Sequence, residues 1–247
     1  MKLDVVFMPA GMSSTEVQGR TAFVIDILRA TTAMCAALSH GAKAIIPVAS
    51  TEEALRLAQT IRSADLLLAG EKNCLPIPGF HLGNSPLEMT EAAVRGKTLV
   101  VTTSNGTKAL LACQGAAAVY PAAAANLSAA AERAAEVLER DGELLILCAG
   151  RDGAFSLDDA YCAGRLVAAA LGSRKPRRWF NDAAIASLDL VRRYGDGWER
   201  PLVRSRSGRE LIRLGFRDDV ADAGRLDAYP VLAHFHDRRI TLAQVSV

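Results

Sequence analysis

Asp26, Arg29, Thr31 and Thr32 stand close together where an apolar run, 23–28, gives way to a second apolar stretch, 33–38. A strand that delivers a carboxylate, a guanidinium and paired hydroxyls to the start of a helix suits an oxyanion and its metal ion. The carboxylate holds a hard cation, the guanidinium forks onto two anion oxygens, and the helix start offers free N–H groups.

Three further segments carry comparable chemistry. Thr102–Lys108 (TTSNGTK) follows a β-type run and precedes an apolar stretch. Asn-Gly tolerates positive φ, so this turn can aim N–H groups at one point, with hydroxyls and Lys108 as further donors. The plainer reading is a helix cap with spare hydroxyls. Glu71 follows a strand end, where ligands of open α/β sheets bind; it reads as a metal ligand or general base, or as an exposed loop acid. The connection from Glu71 to Asn84 shows no structure of its own, which suits a lid or binding loop. In Cys148–Asp159, glycines flank a strand-to-helix turn. Asp159 reads either as a cap of its helix or as a ligand, Asp182 carries the same ambiguity, and Asp152 fits an Asp-Gly turn.

Other chemistries lack their motifs. The order of a Walker A loop and the G-x-G-x-x-G fingerprint of a dinucleotide site are missing, as is a G-x-S-x-G nucleophile elbow. His40, His81, His234 and His236 have no zinc spacing to cysteine, and His234 and His236 alternate as packing or edge residues of a strand do. What remains are acids, hydroxyls and arginine at strand ends, and oxygen ligands fit Mg²⁺ best. A formal charge of +2 over 247 residues gives no broad field for nucleic acid. Local basic clusters at 174–178 and 204–206 read as solvated loops or as a surface that draws in an acidic substrate. Five cysteines without a C-x-x-C pair suggest free thiols in a reducing cytoplasm. Residues 1–8 are too short for a secretory leader and include an acid, and no apolar run is long enough to span a bilayer.

The elements that must hold these residues alternate. β-type runs fall at 3–8, 22–27, 44–48, 66–69, 98–102, 117–120 and 144–148, and helical patterns at 33–40, 52–62, 86–95, 107–113, 127–140 and 157–171. Ser50–Glu53 reads as a capping box, Ser85–Glu88 and Ser156–Asp159 as further helix starts, and Gly41, Gly96 and Gly172 as helix stops. The alternation predicts an α/β fold: one three-layer α/β/α domain over residues 1–247 with a mostly parallel or mixed sheet. From about residue 173 helical patterns follow one another at 182–193, 208–214 and 218–223. Two β-like runs, 231–235 and 239–245, come after, and the tail reads as a helical cap plus edge strands. Segments 22–38 and 99–113 share one pattern: strand, hydroxyl-rich turn, helix.

Four segments in order, Ile25–Thr32 (IDILRATT), Gly79–Pro86 (GFHLGNSP), Thr102–Thr107 (TTSNGT) and Cys148–Gly150 with Ser156–Ala160 (CAG, SLDDA), resemble the 2-phosphosulfolactate phosphatase family, as does Asp182–Ala184. The resemblance implies a Mg²⁺-dependent phosphomonoester hydrolase that converts (R)-2-phospho-3-sulfolactate to 3-sulfolactate and phosphate, a step of coenzyme M biosynthesis, as a homodimer. Where family members usually carry Asp, this chain has His81, to which no role is given; Ser104 and Asp158 replace Thr and Glu conservatively, and Lys72–Pro78 departs from the usual glycine-rich text. On this reading Asp26, Arg29 and Glu71 are the catalytic set, and Asp26 and Glu71 hold Mg²⁺ with Asp159 or Asp182 contributing. Arg29, Thr31, Thr32, Asn84, Ser85, Thr103, Asn105, Gly106 and Thr107 hold the anionic groups. Two alternatives stay open: a phosphatase for another small phosphorylated acid, and a non-catalytic sensor of an anionic metabolite.

Overall fold

Runs of Val, Ile and Leu that are apolar on both faces form strands only where helices cover both sides. The computed structural model describes residues 2–61, 63–174 and 179–243. Its strands are β1 (Lys2–Val6), β2 (Thr21–Ile25), β3 (Ala44–Pro47), β4 (Leu66–Lys72), β5 (Leu75–Pro76), β6 (Thr98–Thr102), β7 (Ala118–Ala122), β8 (Glu143–Cys148), β9 (Ala233–His236) and β10 (Arg239–Leu242). Between them run α1 (Ser14–Val17), α2 (Ala30–Ser39), α3 (Thr51–Ile61), α4 (Glu91–Val94), α5 (Gly106–Ala112), α6 (Leu127–Arg140), α7 (Leu157–Leu171), α8 (Asp182–Tyr194), α9 (Glu199–Arg204), α10 (Arg206–Arg213) and α11 (Arg217–Ala223). Every residue of β2 and β3 is buried.

The strands make one mixed sheet in the order β1-β8-β2-β7-β9-β10-β3-β6-β4-β5. Strands β1, β8, β2 and β7 form one parallel block, and β3, β6 and β4 a second. The hairpin β9–β10 joins the blocks through antiparallel pairings, Val119 with Phe235 and Ile240 with Ile45. The sheet is therefore mixed, as allowed, but the two late strands are central rather than at an edge. The reason is burial: Ala233 and Ile240 have no exposed surface, which an edge position would not give them. The expected extension of the last strand to residue 245 lies outside the described residues, as do Lys175–Arg178 of the first basic cluster.

Capping chemistry explains where helices begin. Ser50 Oγ accepts the Glu53 N–H at 3.2 Å while the Glu53 carboxylate accepts the Ala49 N–H at 2.8 Å, a reciprocal pair at the start of α3. The single helix expected over 86–95 is instead a 3₁₀ turn, Pro86–Glu88, followed by α4. Glu88 turns back to accept the Gly83 N–H, and Thr90 opens a new helix by accepting the Ala93 N–H at 3.3 Å. Helices α7 and α8 approach so closely that a Cβ on Gly164 would meet the Ser187 carbonyl oxygen at 2.2 Å. Asn181 ties the start of α8 to β1: its side chain accepts the Val5 N–H at 3.1 Å and donates to the Val5 carbonyl at 2.8 Å.

The Glu71–Asn84 connection is ordered. Strand β4 runs on to Lys72 and folds back through Asn73 and Cys74, at φ of 54° and 69°, into β5. Two adjacent left-handed residues make the tight turn whose twist matches a hairpin. His81, left without a role by the sequence, completes the edge of β4, where its Nδ1 accepts the Leu68 N–H at 2.9 Å.

Candidate active site

The carboxyl ends of β2 and β8 from one block, and of β4 and β6 from the other, meet around a cavity of about 270 Å³. The segment after β2 contributes Asp26 and Arg29; Glu71 comes from the last residues of β4 itself rather than from beyond its end, Cys74 from the turn that follows, and Ser104 and Asn105 follow β6. Arg151 comes from the β8–α7 connection, Asp158 and Asp159 from the first turn of α7, and Arg206, Ser207 and Glu210 from α10. The helical tail therefore closes one side of the cavity, in keeping with a cap.

Asp26 is fixed by its own loop. Its N–H donates to Thr31 Oγ1 at 3.1 Å, the Thr31 N–H returns to the Asp26 carbonyl at 2.9 Å, and the Ala30 N–H at the start of α2 donates to its carboxylate. The Asn105–Gly106 pair does not make a positive-φ turn: Asn105 is the N-cap of α5, at φ −128°. Gly106 is required for another reason. A Cβ there would stand 2.5 Å from Ala30 Cβ and 2.6 Å from Asp26 Oδ2. Gly106→Ala is expected to displace the Asp26 carboxylate and cut phosphate release at least tenfold with the secondary structure retained; unchanged turnover, with circular dichroism as the control, would show that the contact is not limiting.

Burial, first, and then the Glu71 and Asp158 carboxylates push the Asp26 carboxyl up to about 7. Asp158 is also raised, chiefly by burial, which the Ser156 and Ser207 hydroxyls oppose. Asp159 is raised by burial and by Asp158 and Asp26, although its oxygens accept the Ile27 and Gly150 N–H groups, each at 3.0 Å. Asp159 thus fastens the end of β2 to the end of β8, and it also lines the cavity. Glu71 accepts the Cys74 and Ser104 N–H groups, each at 2.7 Å.

Arg29 is not free to swing. Its Nη1 donates to Asp219 Oδ2 at 2.6 Å, its Nη2 to the Cys74 carbonyl at 2.6 Å, and its guanidinium carbon lies 4.5 Å from the centre of the Phe216 ring. Ser85 Oγ donates to the other oxygen of Asp219 at 2.6 Å. Ser85 is therefore a support for Arg29's partner, whereas Asn84 lines the cavity directly.

Most of the expected hydroxyl contacts fall elsewhere. Thr31, Thr32 and Thr107 are fully buried. Thr31 holds Asp26, Thr32 donates to the Ile27 carbonyl at 2.8 Å, and Thr107 donates to the Thr103 carbonyl at 3.1 Å. Thr103 Oγ1 accepts the Thr107 N–H at 3.1 Å. These hydroxyls are bonded to the backbone of the loops that lead into α2 and α5 and are not presented to the cavity. Asp182 is a second correction: it is exposed at the start of α8, outside the cavity, because Asn181 anchors that helix to β1.

A family model for 2-phosphosulpholactate phosphatase matches residues 6–238. The chain belongs to the 2-phosphosulpholactate phosphatase family. It is 38% identical over 229 residues, 93% of this chain and 97% of the other, to a Symbiobacterium thermophilum protein. It is 37% identical over 240 residues to one from Clostridium acetobutylicum, covering 97% and 100% of the two chains. A third, from Deinococcus radiodurans, is 43% identical over 208 residues, 83% of each chain. All three carry the description "probable 2-phosphosulfolactate phosphatase".

In this family's frame, the residues that motif reading passed over come from two places. Arg151 and Asp158 sit inside a quoted segment but were hidden by Asp159, the more obvious acid. Asp219, Arg206 and Glu210 lie in the tail, whose spacing to the motifs carries no signal; only the 204–206 basic cluster pointed there. Among the described residues no three acidic, histidine or cysteine side chains form a ready-made metal cage. The donor chemistry nonetheless fits a hard cation. Asp26 is buried beside two other carboxylates, and Mg²⁺ commonly takes only one or two protein carboxylates and completes its shell with water and phosphate oxygens.

Proposed function

We propose that this chain is a Mg²⁺-dependent hydrolase of (R)-2-phospho-3-sulfolactate that releases 3-sulfolactate and phosphate. The observation that carries the reading is the carboxylate group of buried Asp26 and Asp158 and half-buried Glu71, which faces arginines in one cavity at the strand ends. In the reaction an oxygen nucleophile forms a bond to phosphorus and the bond from phosphorus to the ester oxygen breaks. Asp26 and Glu71 would hold the ion, and bound Mg²⁺ supplies charge neutralisation on the phosphoryl oxygens. Arg29, held by Asp219, presents fixed positive charge next to Asp26 and orients the phosphoryl group, while Asn84 and Asn105 offer neutral donors on the cavity wall.

The reading extends to a cytoplasmic homodimer. Five free cysteines support a reducing compartment, and family resemblance supports the dimer. Among the described residues no helix is long and apolar enough to cross a membrane.

Phosphate release across a panel of 2-phospho acids, with and without a sulfonate, tests the reading at defined Mg²⁺. Release from the sulfonated substrate, lost with chelator and restored by Mg²⁺, is expected. Glu71→Gln should raise the Mg²⁺ concentration needed for half-maximal turnover by about tenfold or more, since losing even an outer-shell partner of a ligand costs about that much. A thermal shift with the phosphosulfolactate but no phosphate release at saturating Mg²⁺ would overturn catalysis in favour of a sensor.

A further inference from the structure

The hydroxyls of the turn after β6 are already engaged, Thr103 and Thr107 with the turn's own backbone and Ser104 with the Glu71 carboxylate at 3.2 Å, so they do not form a second anion grip. A substrate with a phosphate, a carboxylate and a sulfonate still needs one. Three arginines line the cavity: Arg29, Arg151 and Arg206. They differ in how firmly their charge is already engaged. Arg29 is locked to Asp219 at 2.6 Å. Arg151 and Arg206 both face Asp152 at 3.7 Å, which is too long for a hydrogen bond, and the nearby Glu210 carboxylate is hydrogen-bonded to Arg213 instead.

Arg151 is the better placed of these two. Its side chain is 17% exposed, against 68% for Arg206, so it has little rotamer freedom left to lose on binding. Its buried Nε has no hydrogen-bond partner and faces the Asp152 carboxylate at 3.7 Å, so the guanidinium is held in place without a strong bond to its counter-ion. The β8–α7 connection holds its backbone, through paired Arg151 and Ala154 N–H···O bonds of 2.9 Å. Its guanidinium reaches the Cys74 thiol, while the Cys74 carbonyl holds Arg29. Cys74 thus separates two cationic positions, one beside the Asp26 end of the cavity and one away from it. Asp152 is 60% exposed and so a weak, water-screened counter-ion that a sulfonate can displace.

We infer that Arg151 grips the substrate's sulfonate and so sets the preference for sulfonated over unsulfonated 2-hydroxy acids. The inference rests on the proposed substrate class. A planar guanidinium matches two oxygens of a sulfonate as it does those of a carboxylate or phosphate. Arg206 adds screened charge at the mouth.

The test is calorimetric titration of the full chain, at fixed Mg²⁺, with 3-sulfolactate and with lactate. The wild type should bind sulfolactate at least about tenfold more tightly than lactate, the scale of one charge-assisted hydrogen bond. Arg151→Gln should erase that preference without changing lactate binding, and Arg151→Lys, which keeps the charge but not the fork, should restore part of it. A preference that survives in Arg151→Gln, an equal loss for both ligands, or no preference in the wild type each overturns the inference. Phosphate release measured alongside separates the two readings. An inactive protein with an Arg151-dependent sulfonate preference sinks only the hydrolase. An active one that turns over sulfonated and unsulfonated phospho acids with equal kcat/KM sinks only the role of Arg151.

Discussion

Asp26→Asn is expected to abolish phosphate release while making the metal-free protein more resistant to heat. The ionised Asp26 carboxylate is unfavourable in the fold, since burial and two neighbouring acids raise its pKa from 3.8 to about 7. The folded state therefore binds the proton more tightly than the unfolded state. The contribution of Asp26 to wild-type stability should fall as pH rises from about 4 to about 7, then level off. At pH 8 the asparagine removes the whole penalty, with a ceiling of about 4 kcal/mol given roughly 1.36 kcal/mol per pH unit. It still accepts the Ala30 N–H. A gain of several degrees in Tm at pH 8, vanishing near pH 4, is the expected result, at about 2–4 °C per kcal/mol for a chain of this size. Mg²⁺ should raise the wild-type Tm and leave that of the variant unmoved. A variant with wild-type Tm at pH 8, or one that still responds to Mg²⁺, would remove Asp26 from the ion's ligands.

The second large effect is at Asp219. Arg29 and Asp219 side chains are 2% and 4% exposed, so their ion pair is buried on both sides. Asp219→Ala leaves a buried guanidinium without its counter-ion, at a cost of about 3–5 kcal/mol. It also frees the Ser85 hydroxyl. A Tm lower by about 10 °C follows from the same scaling, along with a raised KM, because Arg29 is no longer held at the cavity wall. The exposed neighbour Asp218 is the control, and Asp218→Ala should change stability by no more than about 0.5 kcal/mol. If Asp219→Ala unfolds and turns over like the wild type, Arg29 is positioned by Cys74 and Phe216 alone.

The α/β class was legible because the helix and strand periods differ sharply, and 98–102, 127–140 and 157–171 fall on β6, α6 and α7. Asp26, Arg29 and Glu71 were legible because strand ends are where such sheets bind ligands. The hydroxyls misled because Ser and Thr at a helix start serve the backbone as readily as a ligand, and nothing in the residue type separates the two uses. Thr31, Thr32 and Thr107 went to the backbone. Asp219 was illegible since its meaning depends on Arg29, which is far away in sequence and close only in the fold. The place of β9–β10 was illegible for the same reason: Phe235 and Ile240 carry no mark of which strands they will join.

The central hairpin also bears on assembly. Until residues 233–242 dock, β7 and β3 each present an unpaired edge, and the two blocks have no strand between them. Such edges recruit other chains, and the pairings that cover them join residues widely separated in sequence, which slows their formation. The half-assembled protein is thus exposed to edge-to-edge association during refolding. Refolding yield should fall with protein concentration, and a strand-mimicking peptide of residues 233–242 supplied in excess should compete with native closure.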